Sequence, residues 1–311
     1  MAKKKNADYM ESQTKFNKLS PFANGLSNIL FLLLSLISIL PIIFVVVISI
    51  SSEESITEFG YRLIPRALSA DGFMYLFKQK TLLAQALGMS LAVTVLGTLI
   101  GTLLTTLIGY VLSRKEFKLH GLYTWLVFIP MIFNGGLVAQ YVVTSQLLGL
   151  KNTIWALILP LCISSFNVIV SKTFFSMTIP DSLIESAELD GASQFTIFFK
   201  LVVPLSQPVF ATIALFLCFT YWNDWFQAML YIDEPAMYTL QAFLNRLMSD
   251  ITELARNADK MGVSQLEMMA KMPKESARMA VVVVIVAPIA CAYPFFQRYF
   301  ISGLTVGAVK G

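Results

Sequence analysis

The stretch ESAELDGASQFTIFFKLVVP, Glu185 to Pro204, decides how this chain is read. It is polar at its start and lies between two apolar runs long enough to cross a membrane. Pro180 and Asp181 open a helix, and Ser182 and Glu185 have the spacing of a capping box. The helix runs to about Leu189, where Asp190-Gly191 breaks it; glycine suits a left-handed turn that a side chain would oppose. A second short helix is predicted through Phe195–Phe199, stopping before Pro204. Two short helices thus meet at a tight elbow. Ala187 and Ala192 leave room beside the bend, and Glu185, Glu188 and Asp190 give it negative charge. Such a knob suits a groove in a partner protein.

The rest of the chain supplies the setting. Of 311 residues, 56% are hydrophobic and 14% charged, against about 25% charged in a soluble domain. Six apolar runs are candidate spans: 26–50, 84–112, 122–146, 153–177, 207–231 and 279–300. The third is interrupted by Pro130 and by Asn134-Gly135-Gly136, which predicts a kink or a break. The first run is too long and too far from the start for a cleavable leader. Cys162, Cys218 and Cys291 lie in separate apolar segments and make neither a disulfide framework nor a metal spacing. Lys and Arg are nearly balanced between the two sides, so density decides: the short, basic tail and the loop with Arg114, Lys115 and Lys118 place the elbow and both termini in the cytoplasm. The expected division is a tail at 1–23, one membrane domain at 24–300 and a cytoplasmic tail at 301–311. Within the domain the elbow occupies 179–204 and an extracytoplasmic insert 232–278. In that insert Leu240, Phe243, Leu244, Leu247, Ile251 and Leu254 recur at amphipathic-helix spacing.

Two further patterns stand out. Gly97, Gly101, Thr105 and Gly109 recur every fourth residue along the second span, a face on which helix backbones approach closely. Tyr221, Trp222, Asn223, Asp224 and Trp225 form the most polar and aromatic patch in any span. Asp224 is the one acidic side chain within the six, and a central aspartate costs roughly 2.5–3.5 kcal/mol on insertion scales. Aromatic faces beside amide and carboxylate groups are what a sugar needs, although an interfacial aromatic belt explains the patch equally well. Gln140 and Asn167 are weaker candidates of the same kind.

These motifs resemble a known family, the permease subunits of ABC importers, over about residues 26–311. Glu185-Ser186-Ala187 stands for the family's EAA triplet, followed by Gly191 and by Leu201, Val203 and Pro204. Ser186 departs from alanine, and Leu201 and Val203 replace isoleucine and leucine. Asp190-Gly191-Ala192, YWNDWF at Tyr221–Phe226 and the ending FFQRYFISGLTVGAVKG look like the carbohydrate-uptake, MalG-like branch. Gly135-Gly136-Leu137, ALILP, Lys271-Met272-Pro273 and YPFFQRYF look like its LplC/YtcP oligosaccharide subgroup. The resemblance implies an all-α, six-span type I permease fold in the bacterial cytoplasmic membrane. It implies that Glu185, Ser186, Ala187, Asp190, Gly191, Ala192 and Pro204 serve ATPase coupling. The implied partners are a second homologous permease, a cytoplasmic ATPase dimer that binds ATP and magnesium, and an extracellular sugar-binding protein. No cofactor is expected on this chain: GLTVGAVKG lacks the spacing and the hydroxyl of a phosphate loop. Two other classes compete. An ion-driven secondary transporter should carry more intramembrane acids or repeats, and a membrane enzyme should carry clustered catalytic groups.

Overall fold

Helix α4, Lys80–Ser113, is the spine of the bundle. It has no proline, and its 34 residues reach roughly 50 Å at about 1.5 Å per residue, beyond the roughly 30 Å of bilayer hydrocarbon. Its small residues lie on one buried face. A β-carbon on Gly97 would stand 2.5 Å from Cζ of Tyr221, and one on Gly101 would stand 2.9 Å from the Cys162 carbonyl oxygen and from Leu217 Cδ1. One on Gly109 would stand 2.6 Å from Ser171 Cβ. Helical glycine costs up to about 1 kcal/mol relative to alanine. Here that cost is offset by close backbone-to-helix contact at three positions along that face.

The computed structural model describes residues 20–256 and 273–308. Helices account for the architecture: α1 Pro21–Ser49, α2 Glu53–Phe59, α3 Asp71–Phe77, α4, α5 His120–Ile132, α6 Gly136–Leu147, α7 Ile154–Cys162 and α8 Ser165–Thr178. They continue with α9 Asp181–Leu189, α10 Gln194–Leu205, α11 Gln207–Asn223, α12 Phe226–Tyr231, α13 Leu240–Arg256 and α14 Lys274–Ala308. Around α4 pack α7, α8 and α11, the partners that its glycines meet.

Among the described residues α1 and α4 are each long and apolar enough to cross a membrane, and the count reaches five if each of three bent pairs is one span. The bends have local causes. Helices α5 and α6 meet at 119° where Gly136 takes φ +82 and its N–H donates to Asn134 Oδ1 at 2.8 Å, an Asx turn. Helices α7 and α8 meet at 50°, and α10 and α11 at 85° about Ser206. The break expected in the third span, 122–146, is the sharp fold between α5 and α6, at Asn134–Gly136. The sixth, 279–300, falls inside α14, which carries Pro288 and Pro294.

Outside the membrane pairs, polar contacts order the chain. The Glu53 carboxylate accepts from the N–H groups of Glu275 at 2.9 Å and Ser276 at 3.1 Å, an anion on the first turn of α14. In α13 the expected stripe is the buried one: Leu240, Phe243, Leu244, Leu247 and Ile251 are all buried and pack against the bundle. The Leu254 side chain lies outside what is described, as do Lys271, Met272 and residues 1–19 of the expected tail. The expected insert and C-terminal tail overlap α14, which is already helical from Lys274 and continues to Ala308.

Gly88 lies in α4 too, but a β-carbon there would meet nothing within 4 Å. Gly97→Val should overpack the α4–α11 contact and cost about 1–3 kcal/mol, lowering the thermal midpoint of the purified protein. Gly88→Ala should leave the midpoint unchanged or raise it. Equal midpoints for both variants would contradict this account of the bundle.

Candidate functional site

The elbow is built from α9 and α10. Its turn is a Schellman motif: the Ala192 N–H donates to the Ala187 carbonyl at 3.0 Å, and the Gly191 N–H to the Glu188 carbonyl at 2.9 Å. Gly191 sits at φ +80 with open space around its α-carbon. The backbone conformation, not crowding, is what calls for glycine there. This explains the spacing in the sequence, because the last alanine of the triplet occupies the position whose carbonyl closes the motif four residues before the glycine. Ser193 then caps α10, its Oγ accepting from the Thr196 N–H at 3.3 Å.

Two details differ from the sequence reading. No capping box forms at Ser182: Pro180 and Asp181 open α9 as expected, so Pro180 is the N-cap, two residues before Ser182, and no side-chain cap bond forms. Pro204 does not end α10. A π turn at Phe198–Val202 precedes it, with the Val203 N–H reaching the Phe198 carbonyl. This widened turn shifts the hydrogen-bond register and carries the helix past the proline to Leu205.

The elbow has two faces. Inward, Ile184, Ile197, Phe198 and Val202 are buried, and Ala187 and Ala192 pack against the same core. The Phe198 ring lies 5.4 Å from Tyr110 and 6.2 Å from Phe210, centroid to centroid. Outward, Leu189 is 89% and Phe195 73% exposed, and Glu185, Ser186, Glu188, Asp190 and Gly191 are exposed beside them. The alanines therefore serve the inner seat of the bend. Leu189 and Phe195 provide an apolar outer tip ringed by carboxylates. Their signal in the sequence was large apolar residues where helical spacing points them away from the buried stripe.

The Tyr221–Trp225 patch is divided by the structure. Tyr221 is 2% exposed, and its hydroxyl donates to the Ile158 carbonyl at 2.9 Å while its ring covers Gly97. Trp222 is buried and donates through Nε1 to the Ile285 carbonyl at 3.3 Å. Asp224 follows the end of α11, and its Oδ2 accepts from the Gln227 N–H at 3.2 Å, capping the start of α12. Asn223 and Trp225 are exposed. Gln140 reaches Gln227 Oε1 at 3.5 Å, an interhelical bond.

A second grouping contains one sequence candidate, Asn167, and neighbours that the sequence reading did not connect with it. Where α7 bends into α8, a cavity of about 510 Å³ opens against α11, lined by Ser164, Phe166, Asn167, Phe216, Phe219 and Thr220 among others. Asn167 is 6% exposed and makes no side-chain hydrogen bond among the described residues. Phenyl faces beside an amide and hydroxyls can stack on sugar C–H faces and bond to sugar hydroxyls. The polar pair Ser164-Ser165 just after Pro160 was the available clue.

No family model matches the chain. Over 304 residues it is 36% identical to Protein LplC of Bacillus subtilis (strain 168), covering 97% of this chain and 99% of that protein. It is 37% identical over 280 residues to the polygalacturonan/rhamnogalacturonan transport system permease protein YtcP of the same organism, covering 90% and 95%. The arabinooligosaccharides transport system permease protein AraQ of Halalkalibacterium halodurans is 28% identical over 297 residues, 94% of this chain and 99% of that one. The fold matches a chain in the crystal structure of a bacterial ABC transporter involved in the import of the acidic polysaccharide alginate. The TM-score is 0.75 at 23% identity, covering 91% of this chain and 99% of that one. Permeases of this kind are membrane proteins and not enzymes; ATP hydrolysis lies in a partner subunit, and a substrate-binding protein is the other implied partner. Sequence similarity across the whole chain, the shared fold and the turn that generates the triplet-to-glycine spacing lead to one assignment: the chain belongs to the sugar-transport permease subunits of ABC importers.

Proposed function

We propose that this chain forms half of a sugar pathway with a second, homologous permease, and that its elbow is the handle by which a cytoplasmic ATPase dimer moves that pathway. The observation that carries this is the two-faced elbow. Its inner face is locked into the bundle by buried aromatic packing. Its outer face leaves Leu189 and Phe195 uncovered on a rigid turn. Exposed large apolar side chains on a well-ordered knob suit a partner's cleft. Short helices joined by a hydrogen-bonded turn transmit displacement without bending.

In this reading α5–α6 and α7–α8 are bent spans, α11 with α12 is the fifth and α14 is the sixth. The termini and elbow face the cytoplasm, and the bacterial cytoplasmic membrane is the location. The exposed apolar length of α1 meets lipid or the second permease. ATP and magnesium are bound by the ATPase and no cofactor by this chain. The extracytoplasmic insert, with α13 packed over the bundle, receives the sugar-binding protein. The substrate is an oligosaccharide, a class supported by the names of the relatives. Asn167, Ser164 and Thr220 contact it in the cavity at the α7–α8 bend. Of the sequence-predicted patch, Asn223, Asp224 and Trp225 lie toward the pathway, while Tyr221 and Trp222 support its wall.

Leu189→Asp and Phe195→Asp should each abolish uptake and co-purification of the ATPase at unchanged membrane levels. Retained uptake within about twofold would overturn the coupling reading. Gly191→Ala forces a side chain into φ +80, at a cost of about 1–2 kcal/mol. It should speed hydrogen exchange across 187–192 and lower uptake, with Gly191→Asn milder. In the cavity, Asn167→Ala should change the relative uptake rates of oligosaccharides of different length, and Tyr221→Phe should lower stability alone. Unaltered rates in Asn167→Ala would assign that cavity to packing.

A further inference from the structure

Arg114 is the first residue beyond α4, and its side chain is only 8% exposed. A loop arginine is seldom buried unless it is paired. Its Nη1 lies 3.4 Å from Asp181 Oδ1, and its Nη2 lies 3.5 Å from the carbonyl oxygens of both Phe175 and Ile179. Nε donates to Ser113 Oγ at 3.1 Å, and the guanidinium carbon stands 5.3 Å from the centre of the Tyr110 ring. These partners belong to three elements. Tyr110 and Ser113 end α4, Phe175 and Ile179 end α8, and Asp181 begins α9.

The contacts have separate physical reasons. The carbonyls that end α8 carry partial negative charge, which a cation stabilises. Asp181 supplies a full negative charge to Nη1. Tyr110 offers an aromatic face, and the same ring packs at 5.9 Å on Phe175 and 5.4 Å on Phe198, the aromatic seat of the elbow. The individual bonds are long, so the clasp depends on the number of partners and on exclusion of water. A planar fork with five donors can meet carboxylate and carbonyls at once, which an ammonium cannot. Lys115 also reaches Asp181, at 3.2 Å, but it is 84% exposed. Such a pair is worth little.

Building on the coupling reading above, we infer that Arg114 is the positioning residue that fixes the elbow to α4. Without it, α9 keeps only the apolar contacts of Ile184 and Ala187 and can pivot about the Ile179–Pro180 joint, so that part of a displacement of the elbow is lost before it reaches the spine. With it, α9 and the cytoplasmic end of α4 move as one body through the transport cycle.

The test is a distance measurement on the assembled transporter with its ATPase. Spin labels replace the exposed Glu116 and Ser182, and pulsed electron resonance is recorded with ADP and with ATP trapped by vanadate. The wild type should give one narrow distribution that does not change with nucleotide. Arg114→Met keeps the apolar stem and removes the fork; it should broaden the distribution and make it shift with nucleotide, and Arg114→Lys should fall between the two. A distribution in Arg114→Met as narrow and nucleotide-independent as the wild type would overturn the inference. If Arg114→Met does not assemble, Asp181→Asn carries the same test with the same two outcomes. A second label pair, from Ser182 to the ATPase, separates this inference from the reading beneath it. If that pair never lies within labelling range, the coupling reading fails, whatever Arg114 does to the first pair.

Discussion

At Gly97, Gly101 and Gly109 the backbone of α4 lies against Tyr221, Cys162 and Ser171 with no room for a β-carbon. Between membrane helices no hydrophobic gain distinguishes a helix contact from lipid, so close packing has to supply the preference. This face of α4 is where that packing happens. Because α7, α8 and α11 seat directly on it, their bends are held in fixed relation. The cavity at the α7–α8 bend, lined by α7, α8 and α11, and the aromatic seat of the elbow, which includes Tyr110 of α4, are thereby tied to the same spine. In the function proposed above, a pathway and a handle packed on this one helix move together.

The elbow shows how a sequence signature can be a geometric requirement. A Schellman turn needs a left-handed residue four positions after the residue whose carbonyl closes it, and Ala187 and Gly191 meet that need. The small side chains of Ala187 and Ala192 let the turn sit against the core, and the larger Leu189 and Phe195 are left outside. One segment thus joins an interior contact to a surface that the described residues leave open.

Much of this was legible beforehand. Helix formers and a glycine break gave the elbow, and four-residue spacing of small residues gave the packed face of α4. The amphipathic stripe from Leu240 to Ile251 was legible for the same reason: periodicity reports one-sided burial directly. What was not legible depends on non-local geometry. The register shift that lets α10 run through Pro204 comes from a π turn that apolar spacing does not mark. The sorting of the aromatic patch, with Tyr221 and Trp222 inside, Asp224 capping and Asn223 and Trp225 outside, follows from which neighbours α4 and α14 present. Arg114 read as one more topological charge, since its burial requires the ends of α8 and α9 to meet it. The Asn167 cavity likewise exists only once α7 and α8 bend apart beside α11.

The most direct measurement is photo-cross-linking from a benzophenone amino acid placed at Leu189 in the assembled transporter in native membranes. The account predicts a single major adduct, with the cytoplasmic ATPase, whose yield changes between ADP and trapped ATP. An adduct with the extracellular binding protein, or none with the ATPase in either state, would contradict it.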